Sequence, residues 1–415
     1  MKIALVYHRF HPNPGGVETY IRKLAEEYAR GGHETAVFTS EPCYDKSSRA
    51  PLRAQGSDKR TQAGKNNAQA ANSCTKATNA CAPADSGYKV YYIRPRKFLG
   101  YPLPAKKDLS LLHNFNPDII HVNSPHPYST AFAMRARKIC RKTHKSGKTR
   151  TPVIATYHGH ANPAALVSRA AARLERRLYR LLFKRLIVTS DYYKNEAAAF
   201  YPSEKIESIP LGIDPAFINC PATQAEARDL LDITHRRKIV LFVGAMDASH
   251  YYKGIPVLLA AAASTPQNEY LLVGNGSDRP RFEQMALGLS NVTFCGTVDP
   301  ETLPLYYKAA DCLVLPSTSN SEGFGLVLLE AMASGTPVIS TNIVGSAELI
   351  KSKNAGLIVK PENPQSLKDG IMLVLEDKDL RRVLIANGLA LAKSLTWTKT
   401  ARQTMKVYDK AIGKN

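Results

Sequence analysis

The chain has 415 residues, too many for one ordinary domain, and two domains are the natural expectation. Hydrophobic residues make up 44% and charged residues 22%, which excludes bulk disorder and allows a fully buried core. The formal charge of +21 is concentrated at one end: residues 1–200 hold 34 of the 56 Lys/Arg and 13 of the 35 Asp/Glu, while residues 201–415 hold 22 of each. A neutral half beside a strongly basic one reads either as plain solubility or as an anionic partner for the first half, nucleic acid or an anionic membrane surface. The seven cysteines have no metal-ligand spacing, Cys74 and Cys81 being the nearest approach. An odd, scattered set fits free thiols in a reducing compartment better than a disulfide framework. The apolar run Lys2–Tyr7 is far too short for a secretory signal. No stretch reaches the roughly eighteen apolar residues a membrane span needs. The expectation is a cytosolic, soluble protein.

Strand-like and helical patterns alternate from the start. Lys2–Tyr7 is followed by a Gly/Pro loop, then by Glu18–Arg30 with Tyr20, Leu24, Ala25 and Tyr28 at helical spacing, a stop at Gly31-Gly32, and a strand at Glu34–Thr39. This is a βαβ unit, whose strands run parallel with helices on the faces. Further strands are predicted at Lys89–Ile93, Ile119–Val122, Pro152–Tyr157, Leu186–Thr189 and Ile206–Ile209. A second series opens at Ile239–Gly244 and continues through Tyr270–Val273, Val292–Phe294, Cys312–Leu315 and Pro337–Ile339. Two βα series predict an α/β protein of two doubly wound, Rossmann-like domains, 1–209 and 210–396, with a hinge at Pro210–Asp214. The last helical stretch, 397–415, is placed to pack back on the first domain. Residues 43–87 are rich in Ala, Ser, Asn, Lys, Arg and Thr with almost no large apolar side chain. Such a segment cannot bury enough surface to fold alone and reads as a disordered insert in the first domain.

The strongest chemical signal is Ser321-Glu322-Gly323-Phe324-Gly325-Leu326-Val327-Leu328-Leu329-Glu330, which follows the strand Cys312–Leu315. Glycines at a strand-to-helix turn let backbone amides approach a ligand. The helix N-terminus then offers free donors and a positive dipole end to a phosphate. Glu330 lies among apolar neighbours and needs hydrogen-bond partners, which ribose hydroxyls would supply. A metal is not expected: the Asp-x-Asp at Asp377-Lys378-Asp379 falls in a charged amphipathic stretch rather than at a strand end.

Glu322 through Glu330 resembles the Glu-x7-Glu motif of retaining GT-B glycosyltransferases, most closely glycosyltransferase family 4, over most of the chain outside 43–87. The resemblance implies a GT-B fold, two Rossmann-like domains facing a cleft. It implies a donor-sugar contact at Glu322, a ribose contact at Glu330, and backbone against sugar and diphosphate at Gly323, Phe324 and Gly325. Gly15-Gly16, between the first strand and first helix, resembles the family's glycine loop near the donor phosphates. His158, at the tip of the strand ending in Tyr157, corresponds to a histidine the family places near the transferred sugar. Gly244 followed by Lys253-Gly254 resembles the diphosphate-binding element, where Lys253 would neutralise phosphate and support the leaving nucleotide. The family's usual arginine after that glycine is here Ala245. Gly274 and Gly276 resemble a turn beside the nucleotide base, and read equally well as a plain βα turn. Catalytic roles thus fall to His158, Lys253 and Glu322.

The donor implied is a UDP- or GDP-sugar, used as substrate with no cofactor, and the acceptor is lipid-linked or a glycan. Residues 164–185 form a basic amphipathic pattern in which Arg169, Arg173, Arg176, Arg177, Arg180 and Lys184 alternate with Leu166, Leu174, Leu178, Leu181 and Leu182. A second basic cluster runs from Arg135 to Arg150. They suit contact with the inner face of an anionic membrane, or an ordinary solvated helix face. GT-B sugar phosphorylases and nucleotide-sugar epimerases share the frame and stand as alternatives. No nucleic-acid motif accompanies the charge, so no nucleic acid is expected. The first turn lacks the Gly-x-Gly-x-x-Gly of a dinucleotide site.

Overall fold

The structure is a computed structural model that describes residues 1–10, 15–40, 80–81, 87–93, 95–98, 101–105, 109–144, 147–159, 176–233 and 237–413. The expected insert 43–87, apart from 80, 81 and 87, and residues 164–175 of the basic stretch lie outside these.

The first sheet holds β1 (Lys2–Val6), β2 (Glu34–Ser40), β3 (Ala80–Cys81), β4 (Lys89–Ile93), β5 (Ile119–Ser124), β6 (Val153–Tyr157), β7 (Leu186–Val188) and β8 (Ile206–Ser208), with buried aliphatic runs at its centre. Its order is β8-β7-β6-β5-β1-β2-β4-β3. β1 pairs in parallel with both β2 and β5, and the two-residue β3 runs antiparallel to β4. Ile3 through Val6 are all buried: a strand covered on both faces carries an unbroken apolar run rather than an alternating one. The helix α1 (Gly16–Arg30) presents Tyr20, Ile21, Leu24, Ala25 and Tyr28 as one buried stripe.

The second sheet holds β9 (Lys238–Val243), β10 (Asn268–Val273), β11 (Val292–Gly296), β12 (Cys312–Leu315), β13 (Val338–Thr341) and β14 (Leu357–Val359). The order β11-β10-β9-β12-β13-β14 is parallel throughout. In both sheets the chain steps outward from its first strand, returns to the centre, and steps outward the other way, the Rossmann pattern. The core of the second sheet joins Val240, Phe242, Leu258, Leu259, Tyr270, Leu272, Ile339, Ile371 and Val374. At the amino-terminal edge of β9 and β12, the Asp311 carboxylate accepts from the Ile239 amide at 2.8 Å, Lys238 at 2.9 Å and Arg228 at 2.7 Å. These bonds fix the two central strands relative to each other from the edge opposite the ligand-binding ends.

The chain folds as two compact units, Met1–Thr156 with Leu178–Arg185 and Tyr408–Asn415, and Tyr157–Arg177 with Leu186–Val407. In the first, a buried chain of hydrogen bonds ties Tyr20 Oη to Thr156 Oγ1 at 3.0 Å, Thr156 Oγ1 to His121 Nε2 at 2.6 Å, and His121 Nδ1 to Tyr408 Oη at 2.8 Å. The end of the C-terminal helix (Trp397–Ile412) is thereby held in the first unit, as expected for a tail that packs back.

Candidate functional site

In an open parallel sheet, ligands bind beyond the carboxyl ends of the strands where the order reverses. In the second sheet that point lies between β9 and β12, so the loops that matter are 244–254 and 316–325. Two features pin these loops together. Thr318 N donates to the Tyr252 carbonyl at 2.7 Å. Gly254, at φ +70°, leaves no room for a side chain, since a Cβ there would stand 2.0 Å from the Pro316 oxygen.

The pinning brings Lys253 and Glu322, 69 residues apart in sequence, into an ion pair of 2.9 Å. The two side chains are 12% and 9% exposed, and Ser317 Oγ donates to the same carboxylate oxygen at 3.3 Å. A buried pair is retained only when its remaining lone pairs find donors, and Ser317 provides one. Past Gly325 begins the helix Leu326–Ala333, whose first amides receive no side-chain cap. A helix start of that kind has free donors and a positive end, which suits an anion. Glu330 sits just over one turn into this helix, where Tyr307 Oη donates to its Oε2 at 2.7 Å. Desolvation pushes the Glu330 carboxyl up to about 7, with the Asp214 carboxylate adding to the rise and the Tyr307 hydroxyl opposing it.

His158 directly follows β6, and its carbonyl faces Gly323 so closely that a Cβ on Gly323 would stand 2.5 Å away. Burial lowers the imidazole to about 3, so His158 is neutral at neutral pH and serves as a hydrogen-bonding group, not a cation. Tyr193 Oη donates to the carbonyls of Asn320 at 3.2 Å and Glu322 at 3.4 Å, holding the loop that carries Glu322. The Phe324 side chain is buried.

Of the expected site residues, the second unit thus gathers His158, Lys253, Glu322, Gly323, Phe324, Gly325 and Glu330. Gly244, Gly274 and Gly276 lie at the neighbouring strand ends: a Cβ on Gly274, at φ +135°, would stand 1.9 Å from the Gly244 oxygen, and one on Gly276 2.3 Å from the Met246 backbone. Close backbone packing therefore requires glycine at 274. Gly15 and Gly16 belong to the first unit, at the start of α1, where the Glu18 carboxyl folds back to where a Gly15 side chain would stand. Asp377 caps the helix Lys378–Ser394 through the Leu380 amide, and Asp379 pairs with Arg382.

Sequence reasoning missed Tyr307, Ser317 and Tyr193, whose roles are purely tertiary. It also missed His8 and His126, which flank the reversal point of the first sheet beyond β1 and β5 with rings stacked at 3.5 Å and 3°. Their positions just past the two central strands were the available signal. Burial, then neighbouring basic groups, lowers His8 to about 2 and His126 to about 4.

Comparison with known proteins decides the family. Residues 223–390 match the model of the glycosyl transferases group 1, and residues 14–217 the model of Glycosyltransferase Family 4. The chain belongs to glycosyltransferase family 4. An uncharacterized glycosyltransferase of Methanocaldococcus jannaschii is 27% identical over 99% of both chains. A phosphatidyl-myo-inositol mannosyltransferase of Mycolicibacterium smegmatis is 26% identical over 100% of this chain and 95% of its own. The sucrose-phosphate synthase of Thermosynechococcus elongatus has the same fold, with a TM-score of 0.76 at 24% identity over the whole of both chains. This glycosyltransferase has the GT-B architecture of two Rossmann-like domains, and moves a sugar from a nucleotide-sugar donor to an acceptor.

Proposed function

We propose that this glycosyltransferase retains the anomeric configuration of a UDP- or GDP-linked sugar and delivers it to a lipid-linked or glycan acceptor at the cytoplasmic face of an anionic membrane. The Lys253–Glu322 pair at the reversal point of the second sheet carries the donor half of this reading. Lys253 supplies positive charge to the departing diphosphate, and the open amides of the helix Leu326–Ala333 add to it. Glu322 is released from its ion pair to accept from donor-sugar hydroxyls, and Glu330 accepts from the ribose. His158, neutral and adjacent to Gly323, is the side chain this reading assigns beside the transferred sugar.

The acceptor half draws on the first unit and on the mannosyltransferase relative, whose name specifies a phosphatidylinositol. In the first unit, Lys138 and Met134 are exposed on the helix Pro127–Ile139, with Leu181, Arg180 and Lys184 exposed on the neighbouring segment. Arg137 donates to the Leu181 carbonyl and joins the two segments. Leu181 is 67% exposed among these cations, the composition of a surface that meets anionic lipid. Tyr179, Leu182 and Phe183 are buried, so the outward face is narrower than the sequence pattern suggests. Arg176 pairs with Glu196 at 3.8 Å and lies over the Phe200 ring, which takes it out of that face.

The test is the product. With a nucleotide-sugar panel and phosphatidylinositol or a short glycan as acceptor, magnetic resonance of the new linkage reports its configuration. A product with the donor's anomeric configuration is expected; an inverted product, or free epimer without acceptor, would overturn the reading.

A further inference from the structure

A nucleoside diphosphate brings two or more negative charges to the end of β9, yet the described lysine there is already matched by a carboxylate. Before donor binds, Lys253 is paired with Glu322 at 2.9 Å. The connection 244–254 contains one other basic side chain, His250. His250 Nδ1 lies 2.8 Å from Asp247 Oδ1, and the same oxygen accepts from Ser249 N at 3.0 Å and from Ser249 Oγ at 2.5 Å. Asp247 thus anchors the turn, and its contact with Nδ1 leaves Nε2 as the nitrogen not engaged by Asp247. The imidazole stands 5.8 Å from the Tyr252 ring, centroid to centroid, and Lys253 Nζ lies 5.6 Å from that same ring. His250, Tyr252 and Lys253 are therefore one cluster on one short turn, buttoned to the 316–318 loop through the Tyr252 carbonyl.

Resting on the donor-site reading above, we propose that His250, oriented by Asp247, is a diphosphate-binding residue of the donor site, offering a hydrogen bond beside Lys253. Asp247 holds the ring through Nδ1, so that Nε2 is the nitrogen left to donate to a phosphate oxygen when the diphosphate arrives. The position directly after Gly244 is Ala245, which contributes no charge.

Titration calorimetry with UDP, GDP and the corresponding nucleosides tests this on the full chain. His250→Gln is expected to weaken diphosphate binding by about tenfold, the scale of one charge-assisted hydrogen bond, with nucleoside binding unchanged. His250→Lys and the double variant Ala245→Arg/His250→Gln are each expected to recover most of the loss. Equal weakening of nucleoside and diphosphate, no change in either, or a loss that neither cation restores would overturn the assignment. If the unmodified chain binds neither diphosphate, the donor-site reading itself falls and takes this assignment with it. His250 is partly exposed on its turn, and a thermal melt of each variant checks that the fold is kept.

Discussion

At the scale of single residues, the glycosyltransferase holds two carboxylates in opposite states of readiness. Glu322 is matched by Lys253 and Ser317, while Glu330 accepts from the neutral Tyr307 hydroxyl. The Glu330 carboxyl rises from its ordinary 4.5 to about 7, so the folded state binds this proton more tightly than the unfolded chain. Its contribution therefore weakens the fold as pH climbs from 4.5 to about 7, and the loss is complete above that window. Glu330→Gln should melt at a higher temperature than the parent at pH 8, show no such advantage near pH 4.5, and bind donor poorly at both. Thermal melts at the two pH values with parallel donor titrations check it. Removing the Tyr307 hydroxyl takes away the hydrogen bond that favours the carboxylate, so Tyr307→Phe should shift the pH midpoint of donor binding upward. The Lys253–Glu322 pair makes a separate forecast. Breaking it from one side strands a buried charge, so Lys253→Met should cost about 3 kcal/mol or more. Lys253→Met with Glu322→Leu should cost less than the single change, as denaturant titration would show, though neither variant should turn over donor.

Elements place these residues, and here some of the design was legible and some was not. The strand run at 239–243 and the Gly-Phe-Gly turn before 326 were plain from apolar runs and from glycines at a strand-to-helix junction. The resemblance then assigned roles to Glu322, Glu330 and Lys253. Leu357–Val359 escaped notice because three residues between Gly356 and Lys360 give no periodicity to read. Tyr307 escaped because nothing local distinguishes a tyrosine that anchors Glu330 from one that fills a core. Gly274 reads from sequence as either a ligand turn or a plain turn, and φ +135° against the Gly244 oxygen shows that the backbone there requires glycine in either case. Gly274→Ala should accordingly destabilise the second domain by about 2 kcal/mol or more, seen as a lowered denaturant midpoint with unchanged slope. Leu181 was read as part of the apolar side of a helix and is instead exposed, because Tyr179, Leu182 and Phe183 already fill the buried positions.

On the scale of the whole molecule, the uneven charge and the donor site make independent claims. If the basic first half meets lipid, the chain should sediment with phosphatidylglycerol vesicles, release as salt rises, and ignore phosphatidylcholine. Lys138→Glu, Leu181→Ser and Lys184→Glu together should reduce that partition on the order of tenfold or more, with soluble donor binding untouched. The central claim is that the second unit is a nucleotide-sugar site read by Glu330. Its most direct test is calorimetric binding of a UDP- and GDP-sugar panel to the full chain and to Glu330→Ala. One nucleotide series bound by the parent and lost in the variant is the expected result. Binding that survives in Glu330→Ala unchanged, or no binding of any nucleotide sugar by the parent, would contradict it.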